Sequence, residues 1–369
     1  MIRLLLLLFL FFISSLLSIF GQSEKRPQDP VAPFSYQIEN VTFKSGKADF
    51  KLAGTLTLLK DKKNPPVAIL ISGSGPQNRN SEIKQFNHRP FLVLSDYLTN
   101  NGIAVLRFDD RGIAESEGEF KGATSHDFAD DVLGAIAFLK TKENIVDTNK
   151  IGLIGHSEGS LIAAITASQS KDLAFVISLA GPGVDGSEVL LTQSRKAMEL
   201  RNVPADFIKK NEKLAAKMYE ITHKFSDSLT IATKIHSFLA EQKKSDPSSP
   251  ILMQLTKPVI DGQIKLLTSK WMLNFIKTDP KAYLSKITCP FLALNGSKDI
   301  QVLSQLNLNG IKTALKEAKN KDAEFVELDG FNHLFQKAKT GSVKEYATIE
   351  ETFSEDAMVV IKDWILKRF

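Results

Sequence analysis

The sequence predicts an α/β protein: a mostly parallel central sheet flanked by helices and interrupted by a long helical insertion. Three observations carry that expectation. Short continuous apolar runs, such as Val67–Ser72 (VAILIS) and Ala104–Phe108 (AVLRF), read as strands buried on both faces. Segments of helical periodicity separate these runs, and strands alternating with helices build parallel sheets covered on both sides. Between Asp185 and Lys286, roughly a hundred residues keep helical periodicity with few strand signals.

The chain starts with an export signature. Arg3 precedes an apolar run, Leu4 to Phe20, broken only by Ser14, Ser15 and Ser18 and followed by Gly21-Gln22-Ser23. One positive charge, an apolar stretch and small residues at its end describe a signal peptide over residues 1–21, and hence a periplasmic or extracellular protein. The run is long enough that an uncleaved membrane anchor through residues 4–20 is the alternative. Residues 22–34 are polar and contain prolines, which reads as a tether.

From Ser35 to Leu59, alternation such as Thr55-Leu56-Thr57-Leu58 predicts antiparallel strands with one wet face. The Val67–Ser72 strand ends in Gly73-Ser74-Gly75-Pro76. A helix over Phe91–Leu98, a strand over Ala104–Phe108 and a helix over His126–Leu139 follow. Next come a strand over Ile151–Ile154, a helix over Ser160–Ser168 and a strand over Ala174–Leu179. After the insertion the alternation resumes with a strand at Pro290–Leu294, a helix at Leu303–Ala318, a strand at Glu324–Leu328 and a closing helix at Asp356–Leu366. The implied organisation is a core in two parts, 35–184 and 288–369, with the helical insertion at 185–287.

Composition narrows the function classes. The 369 residues are 43% hydrophobic and 24% charged, with a formal net charge of +5. The lysines are scattered and form no basic stripe with interleaved aromatics, so nucleic acid is not an expected partner. A single cysteine, Cys289, forbids an intrachain disulfide and reads as a small buried hydrophobe beside Pro290. No H-E-x-x-H, C-x-x-C or calcium-loop pattern occurs, and no metal or cofactor is expected. Gly73-Ser74-Gly75 is followed by Asn78 where a dinucleotide fingerprint needs its third glycine.

The chemistry concentrates at Gly155-His156-Ser157-Glu158-Gly159, a G-x-S-x-G pattern. Alone it is a weak signal; an apolar strand leading in and a small-residue helix leading out make it a nucleophile elbow. Ser157 is the candidate nucleophile, and the Glu158 N–H, at a helix N-terminus, is a candidate oxyanion donor. A serine hydroxyl also needs a base and a group that orients the base. Both should follow strand ends at the same edge of the sheet, in the order serine, acid, histidine. Asp299 follows the Pro290–Leu294 strand and His333 follows the Glu324–Leu328 strand, which makes them the expected acid and base; Asp185 is the fallback acid.

His156 adjoins Ser157, but neighbouring residues at a strand end point to opposite sides, so it is not the expected base. His88 and His126, at helix starts, read as surface or capping residues, and His223 and His236 as solvated ones. The second oxyanion donor should come from the turn after Val67–Ser72. The Ser74 N–H is the first candidate there and Gly75 the next.

These segments together resemble the α/β-hydrolase superfamily, in particular its exported esterase branch related to serine aminopeptidase-like domains. The resemblance runs from about Ser35 to the C-terminus. It rests on ISGSGPQNRN (71–80), LRFDDRGIAES (106–116), IGHSEGS (154–160), LNGSKDIQV (294–302) and GFNHLF (330–335). It implies the Ser157–Asp299–His333 triad, backbone donors at Ser74 and Glu158, and an insertion acting as a cap over the site. Two positions depart from the pattern: Ser72 stands where relatives often have histidine, and Ala114 where glycine is usual.

The expected function is hydrolysis of small to medium carboxylic esters through an acyl-enzyme, with a small-molecule ester as substrate. The alternatives are an aminopeptidase or thioesterase with the same triad, and a non-catalytic binding protein retaining the fold. Trimming a peptide would require acids in the insertion, such as Glu212, Glu220 or Asp227, to hold its amine. A dehalogenase is disfavoured because the nucleophile position is serine. A membrane enters only if residues 4–20 are retained, and the sequence carries no signal for oligomeric state.

Overall fold

The computed structural model describes residues 26–61 and 63–369; the expected signal peptide lies outside the described residues. Eight strands form one sheet in the order β1-β2-β4-β3-β5-β6-β7-β8. They are β1 (Tyr36–Lys44), β2 (Lys51–Leu59), β3 (Val67–Ile71), β4 (Ala104–Phe108), β5 (Ile151–His156), β6 (Phe175–Leu179), β7 (Phe291–Gly296) and β8 (Ala323–Leu328). The pairs β1/β2 and β2/β4 are antiparallel and the remaining pairs parallel. Every residue of β3, β4, β6 and β7 is buried, as a strand with helices on both faces requires. At the edge, β8 exposes Glu324 and Glu327, the charged dressing that keeps an edge strand from pairing further.

The helices that accompany the sheet include α1 (Pro90–Asn100), α2 (Ser125–Lys140) and α3 (Glu158–Ala167). A capping box starts α2: the Thr124 hydroxyl accepts from the Asp127 N–H, and the Asp127 carboxylate accepts from the Thr124 N–H. The next six helices lie in the insertion: α4 (Gly186–Glu199), α5 (Ala205–Lys224), α6 (Ser228–Ser245), α7 (Pro250–Gln254), α8 (Lys257–Leu267) and α9 (Lys270–Lys277). Three more complete the chain: α10 (Lys281–Leu284), α11 (Ser304–Glu317) and α12 (Glu355–Leu366).

Leu70, Ile154, Ile177 and Leu294 bury one face of the sheet against Phe91, Leu94 and Leu98 of α1 and Ile361 and Trp364 of α12. Each such side chain contributes about 1.5–3 kcal/mol when fully buried. By strand alternation, Ile69, Leu153 and Val176 point to the other face, where α2 and α3 pack together.

Two compact units divide the chain: Asp185–Thr278 forms one, and the sheet with its remaining helices the other. The insertion unit has its own core, with Met218, Ile231, Ile235, Leu239 and Ile276 at 1% exposure or less. It ends at Thr278, nine residues before the boundary expected at 287 (287 − 278 = 9). The intervening helix α10 belongs with the sheet: Lys281 pairs with Glu317 of α11 at 2.7 Å, and the Tyr283 hydroxyl lies 2.7 Å from His126 Nε2.

The expected tether also needs correction over Arg26–Asp29. Gln28 accepts from the Thr352 and Phe353 N–H groups and donates to the Phe353 carbonyl at 2.8 Å. Asp29 pairs with Arg89 at 2.7 Å. His88 is corrected as well: it is fully buried, with Nδ1 3.0 Å from Thr352 Oγ1 and Nε2 2.8 Å from the Tyr346 carbonyl. His223 and His236 are exposed, as expected.

Candidate active site

Sheet register brings the candidate residues to one edge. Ile71 of β3 pairs with Gly155 of β5, His156 with Leu179 of β6, Leu179 with Leu294 of β7, and Gly296 with Leu328 of β8. Ser157, Asp299 and His333 therefore all follow strands that end together. The chain leaves β3 toward β4 and leaves β5 toward β6, on the other side. Loops diverge at such a switch point and open a crevice there.

The turn at Ser157 is sharp. Its φ is 55° and its ψ −123°, a conformation costly for a residue with a Cβ and one that recurs at functional turns. Its N–H donates to the Leu179 carbonyl at 2.8 Å and its carbonyl accepts from the Ser160 N–H at 2.9 Å. The flanking glycines are there for space. A Cβ on Gly155 would lie 2.2 Å from the Gly159 carbonyl oxygen, and one on Gly159 would lie 2.2 Å from that of Ile71. The Glu158 carboxylate turns inward and accepts from the buried Ser125 hydroxyl at 2.7 Å, tying the first turns of α3 and α2 together.

Asp299 and His333 meet. His333 Nδ1 donates to Asp299 Oδ2 at 2.7 Å, both side chains being buried, which leaves Nε2 outside this bond. The other carboxylate oxygen, Oδ1, accepts from the Gln301 and Val302 N–H groups at 2.8 and 3.0 Å, so the acid is oriented as well as paired. The His333 loop is pinned on either side by Phe331 and Phe335, which join the core. Within it, Asn332 Oδ1 accepts from the Leu334 and Gln336 N–H groups.

His156 contacts the main chain of His333. Its Nε2 donates to the His333 carbonyl at 2.8 Å, with the two rings 4.8 Å apart. Burial pushes its pKa down to about 3; the neighbouring His333 ring adds to the shift and the bond to the carbonyl opposes it. Asp185, the fallback acid, caps α4 by accepting from the Ser187 and Glu188 N–H groups. Cys289 is half-buried, and burial pushes its thiol up to about 11, so it stays an unionised thiol at neutral pH.

The turn carrying Ser74 packs against the elbow: a Cβ on Gly73 would lie 3.2 Å from both the Ser157 Cβ and the His156 carbonyl oxygen. The consecutive aspartates after β4 hold the turn from outside. Asp110 accepts from Ser72 Oγ and from the Gln77 N–H, each at 2.9 Å. Asp109 accepts from the Arg79 N–H at 2.7 Å and pairs with the Arg79 guanidinium. Next along, Arg111 makes a two-pronged contact with Asp131 at 2.7 and 2.9 Å. Sequence reasoning gave these residues no part in the site; the only signal was DDRG itself, quoted as a resemblance without roles.

Known proteins fit this architecture. The family profile described as Serine aminopeptidase, S33 matches residues 89–337. Esterase EstD of Thermotoga maritima is 22% identical over 316 residues, covering 85% of this chain and 63% of that protein. The chain thus spans less than two thirds of that relative's length. A Pyrococcus furiosus esterase structure superposes with a TM-score of 0.54 at 17% identity, covering 94% of this chain and 99% of the other. The α/β hydrolase GrgF from Penicillium sp. sh18 gives 0.54 at 15% identity, with 90% and 99% covered. The eight-stranded sheet is that of an α/β hydrolase, and the chain belongs to the serine aminopeptidase S33 family.

Proposed function

We propose that this chain is a serine esterase that cleaves small to medium carboxylic esters through an acyl-enzyme on Ser157. The observation that carries the reading is the buried His333–Asp299 hydrogen bond at the sheet edge where the Ser157 elbow stands. His333 Nε2 takes the Ser157 proton as Oγ attacks the ester carbonyl. The tetrahedral oxyanion is held by the Ser74 and Glu158 N–H groups. Its collapse breaks the bond to the alkoxy oxygen, which leaves as the alcohol with the proton from His333. Water, deprotonated by the same imidazole, then releases the acid and regenerates the serine.

Three acids of the insertion that could hold a substrate amine each have a partner within that unit. Glu212 pairs with Arg195 at 3.1 Å, Glu220 pairs with Lys217 at 2.7 Å, and Asp227 caps α6. This favours an uncharged ester over a peptide amine. The proposed setting is outside the cytoplasm, following the N-terminal pattern.

A panel of nitrophenyl esters, aminoacyl anilides and acyl thioesters, run with wild type and Ser157→Ala, tests the reading. Ester turnover by wild type and none by the variant is expected. Equal rates in both would overturn it, and a preference for anilides would replace esterase with peptidase.

A further inference from the structure

We propose that Asp110 is a positioning residue: its carboxylate latches the turn that presents the Ser74 N–H, through the Ser72 hydroxyl and the Gln77 N–H, and so sets that donor against Ser157. The inference rests on the esterase reading and deepens it. The carboxylate spans both ends of the turn, Oδ1 receiving Ser72 Oγ–H and Oδ2 the Gln77 N–H, while the Asp110 N–H donates to the Gln77 carbonyl at 3.1 Å. Three bonds from one residue thus close a six-residue loop whose middle carries the oxyanion donor. The inner side of that loop rests on the elbow at Gly73. The loop is therefore clamped between the nucleophile and Asp110, and a donor must be held to within a few tenths of an ångström to favour the transition state.

Position 72 gives the latch its particular form. A serine stands where histidine is common in the resemblance, and its short side chain reaches Asp110 without leaving the strand end. Asp110 is buried, which pushes its carboxyl up to about 8; the bonds from the Gln77 N–H and Ser72 Oγ oppose that rise, and the Asp131 and Glu158 carboxylates add to it. Asparagine can accept from the Gln77 N–H with Oδ1 and donate to Ser72 Oγ with Nδ2; alanine can do neither.

Steady-state hydrolysis of nitrophenyl butyrate and inhibition by a trifluoromethyl ketone, which forms an oxyanion on the serine, test the latch. The proteins are wild type, Ser72→Ala, Asp110→Asn, Asp110→Ala and the Ser72→Ala/Asp110→Ala double variant, each with its melting temperature. Asp110→Ala should lower kcat by about 10–100-fold with KM within twofold, and weaken the ketone in parallel. Asp110→Asn should stay within about threefold of wild type, and the double variant should be no slower than Asp110→Ala, because Ser72 acts only through its bond to Asp110.

Unchanged kcat in a folded Asp110→Ala overturns the latch. So does an equal loss in Asp110→Asn and Asp110→Ala, or a loss in turnover with the ketone still bound as tightly. If Asp110→Ala does not fold, Ser72→Ala decides: a threefold or larger fall in kcat at constant KM supports the latch, and no change overturns it. Wild type inert toward every ester would overturn the esterase reading and the latch with it, whereas active wild type with an unaffected Asp110→Ala overturns the latch alone.

Discussion

The ring of His156 holds the main chain of His333: Nε2 donates to the His333 carbonyl at 2.8 Å, fixing the His156 tautomer and the height of the loop that carries His333. The residue beside Ser157 thus bears on His333 through the backbone. Its imidazole stays neutral in the folded protein down to about pH 3, whereas in the unfolded chain it takes up a proton near its ordinary pKa of 6.5. Between those values the unfolded state binds more protons, so stability falls as pH is lowered through the window and is unaffected above it. The slope from this site is at most about 1.4 kcal/mol per pH unit. Urea unfolding midpoints from pH 7 to 4.5 should fall more steeply for wild type than for His156→Gln, and parallel curves would contradict the assignment. Asp110 has the opposite sign, its raised pKa giving a contribution that is lost as pH rises toward 8, and comparison with the variant cancels it.

Asp299→Asn should lower kcat by about 10³–10⁴-fold with little change in fold. An amide facing His333 favours the tautomer with the proton on Nε2, which cannot accept from Ser157. Ester hydrolysis and circular dichroism together check this. A loss below tenfold would mean that Asp299 is not the orienting acid.

Ala114 occupies the left-handed region at φ 48° on an exposed loop. A Cβ there costs roughly 1–2 kcal/mol, part of which glycine gives back through its freer unfolded chain. Ala114→Gly should therefore raise stability by up to about 1 kcal/mol, read as a higher urea midpoint at unchanged slope. A lower midpoint would mean that the alanine methyl group makes a packing contribution.

Arg111 and Asp131 form a buried pair, with burial pulling the Asp131 pKa up and the guanidinium holding it down. Removing one partner strands the other, so Arg111→Ala should cost about 3–5 kcal/mol. Arg111→Met/Asp131→Leu should recover part of that loss. Equal destabilisation in both proteins, measured by chemical denaturation, would show that packing and not the stranded charge sets the cost.

Sheet and elbow were legible in the sequence because each rests on local information. The VAILIS run announces a strand buried on both faces, and the glycines around Ser157 make room that a tight strand-to-helix turn must have. Asp299 and His333 follow once strand ends are known, since a parallel sheet gathers those ends at one edge. The Ser72–Asp110 bond was not legible, because it joins loops whose alignment depends on the register of β3 against β4. His88 was misread for a similar reason: its partners lie at Tyr346 and Thr352, and nothing near it in the chain marks it as buried. Helix α10 continues the periodicity of the insertion, so spacing could not assign it to the sheet. Its contacts with α11 and His126 do.

The hydrogen bonds of Arg26–Asp29 tie the chain to the sheet unit ten residues ahead of its first strand (36 − 26 = 10). Arg26 donates to the Phe86 and Ile349 carbonyls, and Gln28 seals the main chain at Thr352 and Phe353. A version begun at Ser35 would leave those amides and carbonyls open beside the segment leading into α12. A cut on the strand side of Asp29 would therefore loosen the other end of the sheet unit, although it removes no strand.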